Sequence, residues 1–275
     1  MVWPGWGASR WLAEVAAAPE WRADAGLRES LSAGLPALGE WVEGRTLRLA
    51  GVSRHAAGLV FSVQGGLYSD HLLLGRCPRV GPGALPPGAP WDGTLGVSAL
   101  VRFRDGRVPL LVQSPRSVAS PGRLVPSASG SAAPVGALVP GAGLDPRAWI
   151  EAELREELGL AEGIPVRLRP WGVLLDLRCG RKPELLFVGQ VDAPADAARP
   201  GPEHSGAVRW LPASIARAGW ARLARDRSAA RILRAMAALL SGPAPGLLPP
   251  RGAPGCRRRP TGPGTAALRP RRGGG

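Results

Sequence analysis

The sequence predicts an α/β fold in which a mixed sheet lies between helices, and three observations support this prediction. Apolar runs typical of strands occupy 95–103 and 108–112, and an Asp-Gly turn joins them. An amphipathic helix is predicted at 145–159, with further strand-like runs after it. A last amphipathic helix is predicted at 228–240. Strands on both sides of one helix, followed by a second helix, indicate an α/β/α sandwich.

Strands after the first helix complete the predicted sheet. They are assigned to 166–168, 171–177, 184–191 and 208–211, because each run is short, apolar and bounded by turn residues.

The core is predicted to carry an extension at each end. Residues 8–43 have apolar positions that favour two or three short helices, with strands near 47–49 and 59–63 after them. Proline and glycine then become frequent, and arginine joins them at the end of the chain. The predicted organisation is an N-terminal helical and strand extension at 1–75, a connector at 76–93, the core domain at 94–241 and a disordered C-terminal tail at 242–275.

The composition permits one sizeable domain with a packed core. The chain has 275 residues, of which 45% are hydrophobic, and a formal net charge of +14. Half of the positive excess comes from seven arginines of the predicted tail, where no acidic residue balances them. Because the charge is concentrated outside the predicted core, a nucleic-acid partner is not the favoured interpretation.

The cysteines and the apolar runs indicate a soluble cytoplasmic protein. Cys77, Cys179 and Cys256 are far apart and form no Cys-x-x-Cys motif, which argues against a disulfide framework or a zinc site. No apolar run approaches the length of a membrane span, and the N-terminus lacks the pattern of a secretion signal.

The helix at 145–159 has an unusual distribution of acidic residues. Asp145 is suited to cap its start and Gly159 to end it in the left-handed conformation. At about 100° per residue, Glu153 and Glu157 fall on the edge of the apolar stripe, with Glu156 beside them. Carboxylates at such spacing repel one another, and a hard divalent cation would neutralise them. An ordinary acidic surface helix is the alternative that this spacing leaves open.

The segment E-L-R-E-E-L-G-L at 153–160 resembles the second half of a Nudix box, the signature of the Nudix hydrolases. The positions that match the pattern are Glu153, Leu154, Glu156, Glu157, Gly159 and Leu160. The family arginine is replaced by Ala152, and the upstream acid and glycine would fall at Leu144 and Leu138. Gly130 is a displaced candidate for that glycine. The resemblance implies a Nudix fold over about 94–240.

Short upstream motifs resemble the Nudix subgroup that hydrolyses UDP-glucose. They are Gly66-Leu67-Tyr68 with Leu74-Gly75, Leu95-Gly96-Val97, and Arg116-Ser117-Val118-Ala119 with Pro121-Gly122. Members of this subgroup also carry an N-terminal extension and lack the box arginine. The resemblance therefore implies cleavage of a UDP-sugar to UMP and sugar 1-phosphate.

The family resemblance also implies a metal and a set of site residues. Mg²⁺, or Mn²⁺ in its place, would be bound by Glu153, Glu156 and Glu157. Glu153 and Glu157 are also candidates for catalysis, and Glu184 is preferred to Glu203 as an auxiliary carboxylate because a strand holds it more rigidly.

Tyr68 and Arg116 are the candidates for binding a small nucleotide substrate, although packing or solvation would equally explain each of them. A catalytically impaired Nudix-fold module that binds nucleotides or regulates another protein is the alternative function. The sequence does not indicate an oligomeric state.

Overall fold

The computed structural model describes most of the predicted core and part of the N-terminal extension. The described residues are 2–4, 10–18, 20–22, 25–26, 29, 44–55, 58–76, 94–117, 120–134, 136–176, 182–201, 204–215 and 217–241.

This part of the chain contains both strands and helices. The strands are β1 Val2–Pro4, β2 Arg10–Val15, β3 Arg45–His55, β4 Gly58–Leu67, β5 Gly96–Phe103, β6 Val108–Gln113, β7 Leu124–Val125, β8 Ala128–Ser131, β9 Gly143–Leu144, β10 Val166–Asp176, β11 Lys182–Val191 and β12 His204–Leu211. The helices are α1 Tyr68–Arg76, α2 Pro146–Leu158, α3 Arg217–Arg225 and α4 Arg231–Ser241.

A five-stranded mixed sheet forms the centre of the protein. Its strand order is β1-β10-β11-β5-β8, in which β11 and β5 are parallel and the other neighbours are antiparallel. The two parallel strands are buried on both faces, which explains why their sequences read as nearly continuous apolar runs. A second sheet, β12-β6-β7, continues the core through the hairpin between β5 and β6.

The two faces of the central sheet pack against different helices, because successive side chains of a strand point to opposite faces. The side facing α2 includes Val97, Leu185, Phe187, Ile150 and Leu154. The opposite side includes Leu100, Leu186, Val188, Trp220 of α3 and Leu233 of α4. This arrangement confirms the predicted α/β/α sandwich with a mixed sheet.

Helix α2 begins and ends where its capping residues predict. The Asp145 carboxylate accepts a hydrogen bond from the backbone N–H of Arg147, and Pro146 occupies the first turn. Gly159 ends the helix at φ 56°, in the left-handed region that glycine adopts without strain.

The N-terminal extension corrects one prediction, since residues 10–15 form a strand and not a helix. Strand β2 runs parallel to β4 in a sheet of order β3-β4-β2-β9. Trp11, Ala13 and Val15 are buried at alternate positions, as a strand requires. The apolar Leu12 made the same segment compatible with helical spacing. Most of the helices predicted within 8–43, the connector at 77–93 and the tail at 242–275 lie outside the described residues.

The extension and the core are joined by backbone pairing. Ala13 of β2 pairs with Leu144 of β9, immediately before the cap of α2. The Leu47 N–H of β3 donates to the Ala132 carbonyl, and the Leu95 N–H donates to the Leu47 carbonyl. The start of α2 is therefore fixed by the extension as well as by the core. Among the described helices, none has the length and apolar character needed to cross a membrane.

We expect Gly159→Ala to destabilise the protein more than Gly122→Ala. Both glycines have positive φ, 56° and 65°, so an alanine is strained at either position by about 1 kcal/mol. A Cβ at Gly159 would also collide with the backbone carbonyl of Arg199, whereas nothing lies within 4 Å of one at Gly122. The total cost at Gly159 is therefore roughly 2–4 kcal/mol. Urea unfolding of both variants measures the difference, and equal losses would contradict the close contact between Gly159 and Arg199.

Candidate metal-binding and catalytic site

Glu157 is the most buried of the three predicted metal ligands. The residue is 5% exposed, and its Oε2 accepts a hydrogen bond of 2.9 Å from the backbone N–H of Ser129 in β8. Its Oε1 lies 3.6 Å from Nε2 of His204, the first residue of β12. This carboxylate is therefore hydrogen-bonded to β8 and faces a histidine of β12.

Glu153 lies one turn before Glu157 and faces the same strand. A Cβ at Gly130 would overlap the carboxyl group of Glu153, so a larger residue at position 130 would displace this carboxyl group. The structure therefore brings Glu153 and Glu157 together beside Ser129 and Gly130. It also places Gly130, the displaced candidate for the family glycine, against one of the acids.

Glu156 is exposed, unlike its two neighbours. On another side of α2, Arg155 donates to Glu151 at 2.7 Å and to the carbonyls of Ala161 and Ile164. This arginine connects the helix to the loop that follows it.

The three acids of α2 have the chemistry of metal ligands, but their carboxylates do not come together at one point. Carboxylate oxygens are the ligands that Mg²⁺ and Mn²⁺ prefer. Within the described residues, however, no group of three or more His, Cys, Asp or Glu side chains comes together closely enough to hold a metal ion. The two acids beside β8 could each supply a ligand, while the exposed Glu156 would have to turn toward them.

Glu184 lies on the other face of the central sheet. It pairs with Gly96 on the neighbouring parallel strand. Its side chain points to the same face of the sheet as that of Leu186, which packs toward α3 and α4. Val97 and its partner Gly130 face α2 instead. The structure therefore does not bring Glu184 to the carboxylates of α2, and its catalytic role stays a prediction.

The contacts of Glu184 are local to its strand and the neighbouring one. Its carboxylate accepts a hydrogen bond of 2.6 Å from Ser98 Oγ and lies 3.3 Å from Lys182 Nζ. The carboxylate also fills the space above Gly96, where a Cβ would collide with it. This contact gives a structural reason for the glycine in Leu95-Gly96-Val97.

The predicted substrate-binding residues lie in separate elements. Tyr68 begins α1, and its ring centroid is 5.6 Å from that of His71. Arg116 is exposed in the turn after β6, where its N–H donates to Ser114 Oγ. Glu203, the second candidate for the auxiliary carboxylate, is outside the described residues.

A second polar cluster surrounds His71, between α1 and the core. The Thr94 N–H donates to His71 Nδ1 at 3.3 Å. Removal of the imidazole from water, together with the positive charges of Lys182 and Arg48, lowers the pKa of His71 to about 3. His71 is therefore neutral in the folded protein at physiological pH.

Two cavities of the described structure lie apart from the α2 carboxylates. One, of about 490 Å³, is lined by residues that include Asp196, Arg199 and Trp210. Another, of about 360 Å³, lies between β2 and β9. Neither lining includes Glu153 or Glu157.

The comparisons with known proteins are limited to structural likeness. No protein-family model and no curated protein matches the chain. Similar solved structures include DR0079 of Deinococcus radiodurans (16% identity, 70% of this chain and 97% of that one, TM-score 0.42). A Nudix-family hydrolase from Clostridium perfringens (15%, 54% and 95%, TM-score 0.36) and an Ap4A hydrolase from C. elegans (15%, 54% and 98%, TM-score 0.33) are also similar. Because these TM-scores are below 0.5, the likenesses support no statement about activity.

We expect His71 to make the protein less stable as the pH falls from about 6.5 toward 3. The unfolded chain binds a proton at His71 near its ordinary pKa of 6.5, and the folded chain does so only near 3. The stabilisation of the folded state by neutral His71 is therefore fully present above pH 6.5 and is lost as the pH falls toward 3. The free energy of unfolding changes by up to about 1.4 kcal/mol per pH unit in this range.

The measurement is the free energy of unfolding between pH 7 and pH 4. His71→Gln should flatten the profile, whereas His55→Gln, which replaces an exposed histidine of β3, should leave it as it is. A wild-type slope that persists in His71→Gln would show that other groups cause it.

Proposed function

We propose that the protein hydrolyses the diphosphate of a nucleoside diphosphate derivative with Mg²⁺ or Mn²⁺. The observation that carries this proposal is the position of Glu153 and Glu157, one helical turn apart and both against β8. Partly buried acids of one helix face are unfavourable alone and become favourable around a divalent cation. The matches to the second half of the Nudix box at the same residues agree with this function.

The chemistry requires that the negative charge of the diphosphate be neutralised before water attacks phosphorus. When bound, the metal would supply this neutralisation and would acidify a water ligand. Glu157 has the contacts of a rigid ligand, since Ser129 already fixes one of its oxygens. Glu153, which is less buried, suits the role of proton acceptor better. Glu184 stays an auxiliary candidate that would have to act from the other face of the sheet.

The proposed substrate is a UDP-sugar, cleaved to UMP and sugar 1-phosphate. This choice rests on the resemblance at Tyr68, Gly96 and Arg116–Ala119. Tyr68 begins the helix that follows β4, so a substrate that reached it would contact the N-terminal extension as well as the core. Arg116 is exposed and offers a guanidinium to a phosphate or a carboxylate.

A binding or regulatory module without catalysis is the second candidate. It is favoured by Ala152 in place of the family arginine and by the separation of the acids, which do not converge as a group of three within the described residues. Such a protein would bind a nucleotide without turning it over.

Product analysis distinguishes the two candidates. The protein is incubated with Mg²⁺ and separately with UDP-glucose, UDP-galactose, ADP-ribose, NADH and 8-oxo-dGTP, and the products are separated by chromatography. We expect UMP and hexose 1-phosphate from the UDP-sugars. Preferred turnover of ADP-ribose or of the triphosphate would contradict the substrate class, and binding of a UDP-sugar without turnover would favour the module.

We expect Glu156→Gln and Glu157→Gln each to lower Mg²⁺ affinity and turnover by on the order of 100-fold or more, because each change removes a charged ligand. The exposed Glu156 should change stability by no more than about 0.5 kcal/mol. Glu162→Gln is the control, since Glu162 is an exposed acid in the loop after α2. Calorimetric titration of Mg²⁺ and urea unfolding measure both quantities. Unchanged Mg²⁺ binding in both variants would indicate an ordinary acidic helix.

A further inference from the structure

His204 is a buried histidine whose ring nitrogens have no hydrogen-bond partner in the described structure. Its side chain has no exposed surface, and no described residue forms a hydrogen bond with Nδ1 or Nε2. Buried polar groups are nearly always satisfied, so such a histidine requires an explanation. The charged atom that Nε2 faces is Oε1 of Glu157, at 3.6 Å.

The backbone before His204 is attached to the end of α2. The Gly201 N–H donates to the carbonyl of Glu157, and the Arg199 N–H donates to the carbonyl of Leu158. The His204 N–H in turn donates to the carbonyl of Gly201. These bonds fix the start of β12 relative to the same residue that the imidazole faces.

Glu157 thus has a donor group on each side. The Ser129 N–H binds Oε2 at 2.9 Å, and Nε2 of His204 needs a shift of only a few tenths of an ångström to bind Oε1 within ordinary N–H···O distances. One donor on each oxygen fixes both the rotation and the tilt of a carboxylate.

We propose that His204 is a positioning residue for Glu157, with a proton on Nε2 that it donates to Oε1. This inference rests on the proposed function, in which Glu157 binds the divalent cation. The histidine acts through Glu157 and not on the substrate. Groups that orient a metal ligand typically change metal affinity by about 10–100-fold when they are removed.

Three substitutions of His204 test the position of the donor. His204→Gln carries an amide nitrogen at about the distance of Nε2, His204→Asn carries one at about that of Nδ1, and His204→Leu carries none. Mn²⁺ affinity is measured by electron paramagnetic resonance on the full chain, without substrate. We expect Gln to bind within about threefold of wild type, and Asn and Leu to bind about 10-fold or more weakly. His55→Leu, an exposed change, is the control.

A cycle with Glu157→Gln tests the contact in metal-free buffer. The shifts in urea midpoint of His204→Asn and Glu157→Gln should not add in the double variant. Asn removes the Nε2 donor, and Gln, whose single oxygen accepts from the Ser129 N–H, presents an NH2 group in place of the oxygen that faces His204. This measurement also tests the contact between His204 and Glu157 if the protein binds no Mn²⁺, or if His204→Leu does not fold. Additive shifts, or equal Mn²⁺ affinity of the Gln, Asn and Leu variants, would overturn the inference. Non-additive shifts in a protein that hydrolyses none of the nucleotides would support the positioning role while contradicting the proposed function.

Discussion

The candidate site depends on the contact between α2 and β8, in which the carboxyl group of Glu153 occupies the space next to Gly130. Strand β8 pairs with β5, so the acids of α2 are held against the edge of the central sheet and not against a mobile loop. Two carboxylates at this distance repel each other, and partial burial strengthens the repulsion. The hydrogen bond from the Ser129 N–H offsets part of that cost at Glu157. Under the proposed function, a cation bound by both acids would offset the remaining repulsion.

The elements that the sequence predicts correctly are those defined by local chemistry. Helix α2 is bounded by Asp145 and Gly159, whose capping roles depend only on neighbouring residues. The central strands are predicted because burial on both faces requires apolar runs. Strand β2 was predicted wrongly because Trp11, Leu12 and Val15 fit helical spacing as well as Trp11, Ala13 and Val15 fit a strand. Its parallel partner β4 is more than forty residues away, and a short segment adopts the structure that such a partner stabilises.

The candidate site shows the same division between local and distant information. Helical spacing correctly groups Glu153 with Glu157, but it does not reveal that Gly130 and Ser129 lie opposite them. His204 was not considered because the last core strand was predicted to begin at 208, whereas it begins at His204. Because side chains alternate along β11, Glu184 and Leu185 point to opposite faces of the sheet. Only the packed structure shows that α2 covers the face of Leu185.

Glu157 and Glu184, two of the buried acids among the described residues, differ in the groups that contact them. Glu184 has the Lys182 ammonium on its own strand and the Ser98 hydroxyl on the next, so a cation and a donor compensate its burial within the β5–β11 ladder. A carboxylate compensated in this way stabilises strand pairing and gains little from another cation. Glu157 accepts a hydrogen bond from the Ser129 backbone N–H and faces the imidazole of His204, groups that orient its carboxylate. The contacts of Glu184 with Lys182 and Ser98 therefore make it a weaker candidate than Glu157 for the proposed cation site.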